Sequence, residues 1–197
     1  HEDNALDDLS LLYKGQTSLA TDFWDKHGKS LTSWKERSHT FYRITGPDIK
    51  EWKPNQLIHD GNEGGFEAIV RNIDPDQESA VVEVCANFRS SHHSVWGVNA
   101  RNREQNFALN LLMDPDIDFI SLLGNAGTGK TLLALAAGLA QVLDEKRYTE
   151  IIMTRATVPM GEDIGYLPGT EEEKMVPWMG ALMDNLEVLS SSDNGEW

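Results

Sequence analysis

Positive charge is scarce in this sequence. Across 197 residues, 17 Lys and Arg face 32 Asp and Glu, a formal net charge of −15. Residues 1–96 carry 10 basic and 16 acidic groups, net −6, and residues 97–197 carry 7 and 16, net −9. A protein that holds nucleic acid by bulk charge is basic. Neither half offers a broad phosphate-attracting field, so any nucleic-acid contact must come from a local groove. Cysteine is almost absent. Cys85 alone excludes an internal disulfide and fits a reducing compartment such as the cytoplasm. No apolar run approaches the ~18 residues that cross a bilayer, which argues against a membrane partner. No signal peptide precedes the first acidic residues, and the chain starts at His1 without a methionine; it reads as a processed product or a fragment. What is present, 40% hydrophobic and 25% charged residues, is an ordinary globular composition in a length that suits one domain or two small ones.

Residues 1–38 read as a linker or connector, acidic at the start with a few leucines. Residues 39–96 read as a small β-rich, barrel-like domain. Its runs 39–44, 55–60, 66–73 and 80–88 are rich in β-branched and aromatic residues. Turn-formers separate them at Gly46-Pro47, Gly61-Asn62, Gly64-Gly65 and Asp74-Pro75. Strands at this spacing predict a small antiparallel sheet or barrel. From Gly97 the pattern becomes α/β. A helix is predicted over 101–113, ending at Asp114-Pro115. Residues 117–123 form an almost wholly apolar run, as in a strand covered on both faces, and 150–154 a second one. Between them, 129–143 is apolar nearly all round and predicts a buried helix. A Gly/Pro-punctuated loop follows over 155–169. Thr170, with Glu173 three residues on, then marks a helix start.

The chemistry is concentrated in residues 124–131. They read Gly124, Asn125, Ala126, Gly127, Thr128, Gly129, Lys130 and Thr131, which fits G-x-x-x-x-G-K-[ST] without a mismatch. The three glycines permit positive φ and a close approach of backbone to oxygen. Loop N–H groups at the positive end of a following helix suit a β-phosphate. Lys130 neutralises β/γ charge, and the Thr131 hydroxyl ligates Mg²⁺. An apolar run before the loop and a buried helix after it give the motif the context it needs. The reading is an ATP site with Mg²⁺, with Lys130 and Thr131 as the catalytic pair.

Upstream, a helical winding of 101–113 places Gln105 near the middle of an apolar arc with Phe107, Ala108, Leu109, Leu111, Leu112 and Met113. A glutamine there must find partners. Its amide suits the N6/N7 edge of adenine, or equally a nearby backbone group. A P-loop hydrolase also needs an apolar strand ending in an acidic residue. Val142-Leu143-Asp144-Glu145 is a decoy, because it ends the P-loop's own helix, roughly 20 Å from the phosphates. No later strand ends in Asp-Glu.

The stretch from GNAGTGKTLLALAAGLAQVL through IIMTRATVPMGEDIGYLPGTEEEKMVPWMGALMDNLEVL resembles the PhoH family of ATPases. VWGVNARNREQNFALNLLMDPDIDF upstream is similar too. With FWDKHGKSLTSW and HTFYRITGPDIKEWKPNQ it resembles the branch fused behind a PIN-type ribonuclease domain. PhoH proteins are similar to superfamily-one helicases. The resemblance implies part of an α/β P-loop NTPase domain with a parallel sheet over 97–197, preceded by the small β-rich domain. It also implies that Asn102 and Gln105 match a segment that reads adenine, and that Thr154, Arg155 and Thr157 lie where helicases grip single-stranded nucleic acid. The intact protein would be an ATP-driven RNA-unwinding motor coupled to a PIN ribonuclease domain, assembled as a homo-oligomeric ring. This chain lacks the PIN carboxylates and the acidic strand, so it should bind nucleotide and hydrolyse it poorly.

Two other readings compete: a nucleotide-gated assembly and RNA-binding module without motor activity, and a small-molecule kinase. The upstream glutamine and the alanine-rich helix weigh against the kinase. His59, Cys85, His92 and His93 fit no zinc spacing. Trp24, Trp34, Phe41, Tyr42 and Trp52 read as core and linker packing, or as a platform on which RNA bases stack. The 161–169 loop reads as a moving element or a plain turn, and Glu171, Glu172 and Glu173 as a helix start.

Overall fold

The computed structural model describes residues 15–154, 180 and 183–189, in a chain that divides into two compact units, 1–86 and 87–197. The first unit is built on a six-stranded sheet. Its strands are β1 (Gln16–Ser18), β2 (Thr32–Glu36), β3 (His39–Thr45), β4 (Leu57–His59), β5 (Glu67–Asp74) and β6 (Ser79–Val84). Their order is β1-β4-β5-β6-β3-β2, with β1 parallel to β4 and every other pair antiparallel. A short helix α1 (Phe23–His27) joins β1 to β2.

Alternation along the strands explains the core. Ile44, Ile58, Ala68, Val70, Ala80 and Val82 are buried on one face, with Phe23, Ile49 and Trp52 packed among them. Trp24 and Tyr42 pack partly buried against the same cluster, while Trp34 and Phe41 do not belong to it. Those two are cross-strand neighbours, stacked 5.7 Å apart, with the Arg43 guanidinium 5.8 Å from the Trp34 ring. The five aromatics singled out in the sequence are therefore divided between the two faces. Arg71 sits at a bulge in β5 between Val70 and Asn72, and its Nε donates to Glu83 at 2.7 Å.

Two expectations for this unit change. Residues 16–18 and 32–36 belong to the sheet rather than to a connector. They are short edge strands whose exposed, polar sequences carry no apolar alternation to betray them. The sheet is also open rather than barrel-like, because β1 pairs with β4 and β2 with β3, and the two edges do not meet. His59, in β4, accepts the Gly61 N–H at Nδ1 (3.1 Å).

In the second unit, α2 (Arg103–Leu112) and α3 (Lys130–Leu139) pack together, and α3 runs on into a single π-helical turn, Ala140–Asp144. Buried Phe107, Ala108 and Leu109 come from α2; Leu133, Leu135, Ala136 and Ala137 come from α3. The alanines let the helices approach closely. Asn106 is fully buried, and its Oδ1 accepts the Phe88 N–H at 2.8 Å, which fastens the preceding loop to α2. Gln141, in the π turn, donates to Leu112 O and Ala137 O, both at 3.0 Å, and accepts from Arg147.

The strands predicted at 117–123 and 150–154 are not formed among the described residues. Neither run pairs with the other or with any described strand. Phe119 is 86% exposed, Leu123 81% and Ile152 78%. A strand exists only as a member of a ladder, and no described strand lies beside either run. The described residues thus form a mixed α/β structure whose single sheet is mostly antiparallel, and the expected parallel sheet is not among them. Ile151 nonetheless touches α3, where a Cβ added at Gly138 would lie 3.1 Å from its Cδ1. The helix predicted from Thr170 and the loop 155–169 lie outside the described residues. No helix of the described residues is long and apolar enough to cross a membrane.

Candidate nucleotide-binding site

The loop 124–129 enters α3 at Lys130. Gly127 and Gly129 adopt left-handed φ of 79° and 85°, conformations that side chains resist, and Gly129 serves as the N-cap of α3. Gly124, the third glycine expected to need positive φ, does not take it. A Cβ there would make only ordinary contact with Thr128 Oγ1 at 3.4 Å. Asn125, Ala126 and Thr128 are exposed along the loop, and Thr131 is exposed on the first turn of α3.

Lys130 bends back into this loop. Its Nζ donates to the carbonyls of Gly124 (2.7 Å) and Asn125 (2.6 Å) and approaches Thr128 Oγ1 at 3.2 Å. Thr128 Oγ1 in turn donates to Asn125 O at 2.9 Å. One ammonium therefore draws three oxygens together and gathers the loop around a single positive charge. The leading N–H groups of a helix have no intrahelical acceptors, so the start of α3 adds donors to the same place. This is the chemistry of an anion cradle.

Asn102 and Gln105 lie together at the start of α2, hydrogen-bonded to each other and to backbone. Asn102 Oδ1 accepts the Gln105 N–H at 2.9 Å and caps α2. Gln105 Oε1 accepts the Arg101 N–H at 2.8 Å, and Gln105 Nε2 donates to Thr128 O at 3.2 Å. Both side-chain ends of Gln105 thus meet backbone groups. Asp144 ends the π turn that continues α3, at the end away from Lys130. Among the described residues no group of three or more His, Cys, Asp or Glu side chains could hold a metal ion.

Thr154 is exposed at the end of the unpaired 150–154 run; Arg155 and Thr157 lie outside the described residues. Sequence reasoning missed Asn106 and Gln141, the polar side chains buried in and beside the helix pair. The signal for Asn106 was an amide among the apolar residues of 106–109.

Among curated proteins, the chain is similar to Protein PhoH2 of Bacillus subtilis (strain 168), 40% identical over 178 residues, covering 90% of this chain and 36% of that protein. It is 47% identical over 100 residues to Protein PhoH2 of Thermobispora bispora, covering 50% of this chain and 23% of the relative. To Protein PhoH2 of Mycolicibacterium smegmatis it is 47% identical over 98 residues, covering 49% and 22%. The chain thus spans between 22% and 36% of the length of these relatives. No solved structure matches it. Residues 97–196, just over half of the chain and the whole of the loop–helix cradle, match the model of the PhoH-like protein family, and the chain belongs to that family.

Proposed function

We propose that this chain is the ATP-binding segment of a PhoH-type ATPase. Lys130 and the loop 124–129 bind the polyphosphate, and Thr131 holds Mg²⁺. The observation that carries the reading is the Lys130 ammonium gathered into a glycine-hinged loop at the start of α3. A polyphosphate would take over the role that the two carbonyls and the threonine hydroxyl play for that charge. The metal, when bound, supplies neutralisation of the β- and γ-oxygens. Asn102 and Gln105, which the resemblance assigns to adenine, stand on the α2 side of the cradle.

The larger reading builds on the same segment. The intact protein couples an ATP-driven RNA-unwinding motor to a PIN ribonuclease domain and assembles as a ring. Thr154, Arg155 and Thr157 contact single-stranded RNA there. The sequence similarity to the fusion branch and the exposure of Thr154 support it. A second reading is a nucleotide-gated assembly and RNA-binding module without motor activity.

Calorimetric titration of the chain with MgATP tests the core claim. Lys130→Ala should weaken binding by about tenfold to a hundredfold, the worth of a charge-assisted contact. A wild-type chain blind to ATP would overturn the reading. For the intact protein, turnover stimulated by single-stranded RNA supports the motor, and turnover indifferent to RNA supports the module.

A further inference from the structure

We infer that the β2–β3 hairpin, on the sheet face opposite the core, is a docking surface for single-stranded nucleic acid: Trp34 and Phe41 stack a base, and Arg43 takes the neighbouring phosphate. The inference stands apart from the nucleotide reading, because it uses none of residues 102–131.

Strand pairing puts these side chains on one face. Trp34 lies directly across from Phe41, and Arg43 follows Phe41 by two residues, so alternation turns all three the same way. Tyr42 and Ile44, the alternate residues of β3, pack with the core cluster instead. The Trp34 and Phe41 rings stack 5.7 Å apart, 14° from parallel. Both are half-buried, and neither belongs to the core cluster. Trp34 Nε1 donates to Glu36 Oε1 at 3.0 Å, which pins the indole to its own strand. His39 extends the row, its ring 6.5 Å from that of Phe41. Rings fixed in this way and left partly in water suit a flat π-system laid against them. Every nucleobase has such a face, which makes stacking tolerant of sequence.

Charge points to a nucleic acid rather than to another apolar partner. Residues 32–45 carry Lys35, Arg37 and Arg43 against Glu36, net +2 within a chain of formal net charge −15. The carboxylates of this face are already engaged. Glu83, across from Phe41 in β6, bonds both His39 Nδ1 and Arg71 Nε. Glu36 accepts from the indole. Asp74 Oδ1 accepts the N–H groups of Asp76 and Gln77 in its own turn. Arg43 is exposed and forms no ion pair among the described residues; its guanidinium lies 5.8 Å from the Trp34 ring. A groove lined by Arg43, Asn72, Asp74, Gln77 and Val81 opens beside it, with two amides able to meet a base edge or a phosphate. Bulk charge cannot bring a polyanion to this chain, but an unneutralised guanidinium beside a fixed stack is the local arrangement that can.

The test uses the whole 197-residue chain without nucleotide and a fluorescein-labelled single-stranded RNA of about 12 nucleotides, a length within the span such surfaces track, read by fluorescence anisotropy at low salt. Trp34→Leu, apolar but without a π-face, should weaken binding about fivefold to a hundredfold, the worth of one stacked base. Trp34→Phe keeps a π-face and should restore most of that loss. Arg43→Gln should flatten the dependence of log affinity on log salt by about 0.7, one phosphate contact on a single strand. The same sequence as a duplex hides its base faces; it should bind more weakly and ignore Trp34→Leu. Wild-type affinity in Trp34→Leu overturns the inference. So does an equal loss in Trp34→Leu and Trp34→Phe, which would make the ring a packing element. Loss of binding in Arg155→Ala, with Trp34→Leu unaffected, would place the strand on the 154–157 segment instead. A wild-type chain that binds no strand also overturns it, and a dimer in sedimentation that Trp34→Leu dissolves would give the face to a second copy of the chain. None of these outcomes bears on the MgATP titration, so the two readings fail separately.

Discussion

Gly46 leaves no room for a methyl group. A Cβ there would fall inside the buried imidazole of His27, whose Nδ1 lies 3.0 Å from Thr45 O and whose Nε2 lies 2.9 Å from Asp48 Oδ2. Its φ of 154° is also one that side chains avoid. Gly46→Ala should therefore destabilise the first unit by about 3 kcal/mol, through strain and through displacement of the ring. Denaturant unfolding followed by far-ultraviolet circular dichroism would measure it; a loss under about 1 kcal/mol would mean that the ring swings aside freely. At this scale the sequence was partly legible. Gly46-Pro47 announced a turn, but nothing in the order of residues says that His27, nineteen positions earlier, fills the space beside it. The motif at 124–131 was legible because its spacing is local, and the structure sets it as a loop entering α3. Gln105 was half legible: its need for partners followed from its place among apolar residues, whereas the identity of those partners depended on how α2 and α3 pack.

Elements divide by whether their stability is local. The helices α2 and α3 fall within the predicted 101–113 and 129–143, since an apolar stripe and an alanine-rich run need only neighbours in the same segment. β3, β4, β5 and β6 fall within or at one residue of their predicted runs, because alternation and turn residues bracket them. β2 escaped notice. It is an edge strand with exposed Lys35 and Glu36, and edges are kept polar for good reason. The runs 117–123 and 150–154 differ the other way: apolar content predicted strands that have no ladder among the described residues. Phe119 at 86% exposure contributes little burial. Phe119→Ser should therefore change stability by under about 0.5 kcal/mol in this chain, again by denaturant unfolding. A loss above 2 kcal/mol would show that the ring is packed after all.

On the scale of the whole molecule, each unit has its own work. The first unit has a contiguous core of ten buried residues, from Leu19 to Val82, closed over by α1 and the 3₁₀ turn Pro47–Glu51. Domains of about 55–65 residues commonly fold alone. Residues 15–86 expressed by themselves should therefore unfold cooperatively, with one transition in both near- and far-ultraviolet circular dichroism. Loss of the near-ultraviolet signal alone would mean that its core needs the rest of the chain. The second unit carries the loop that gathers around Lys130, one of three lysines in residues 97–197, where the net charge is −9.

By itself the sequence determined the motif of residues 124–131, the helices α2 and α3 beside it, and the alternation that builds most of the sheet. All of these depend on residues near one another along the chain, where spacing and geometry are the same thing. Only the tertiary structure decided that two polar segments join the sheet as edges, that two apolar runs pair with no described strand, and that Gln105 grips a loop carbonyl. Each of these depends on which distant backbone group lies alongside, and hydrogen bonding across such distances is settled by packing rather than by residue order.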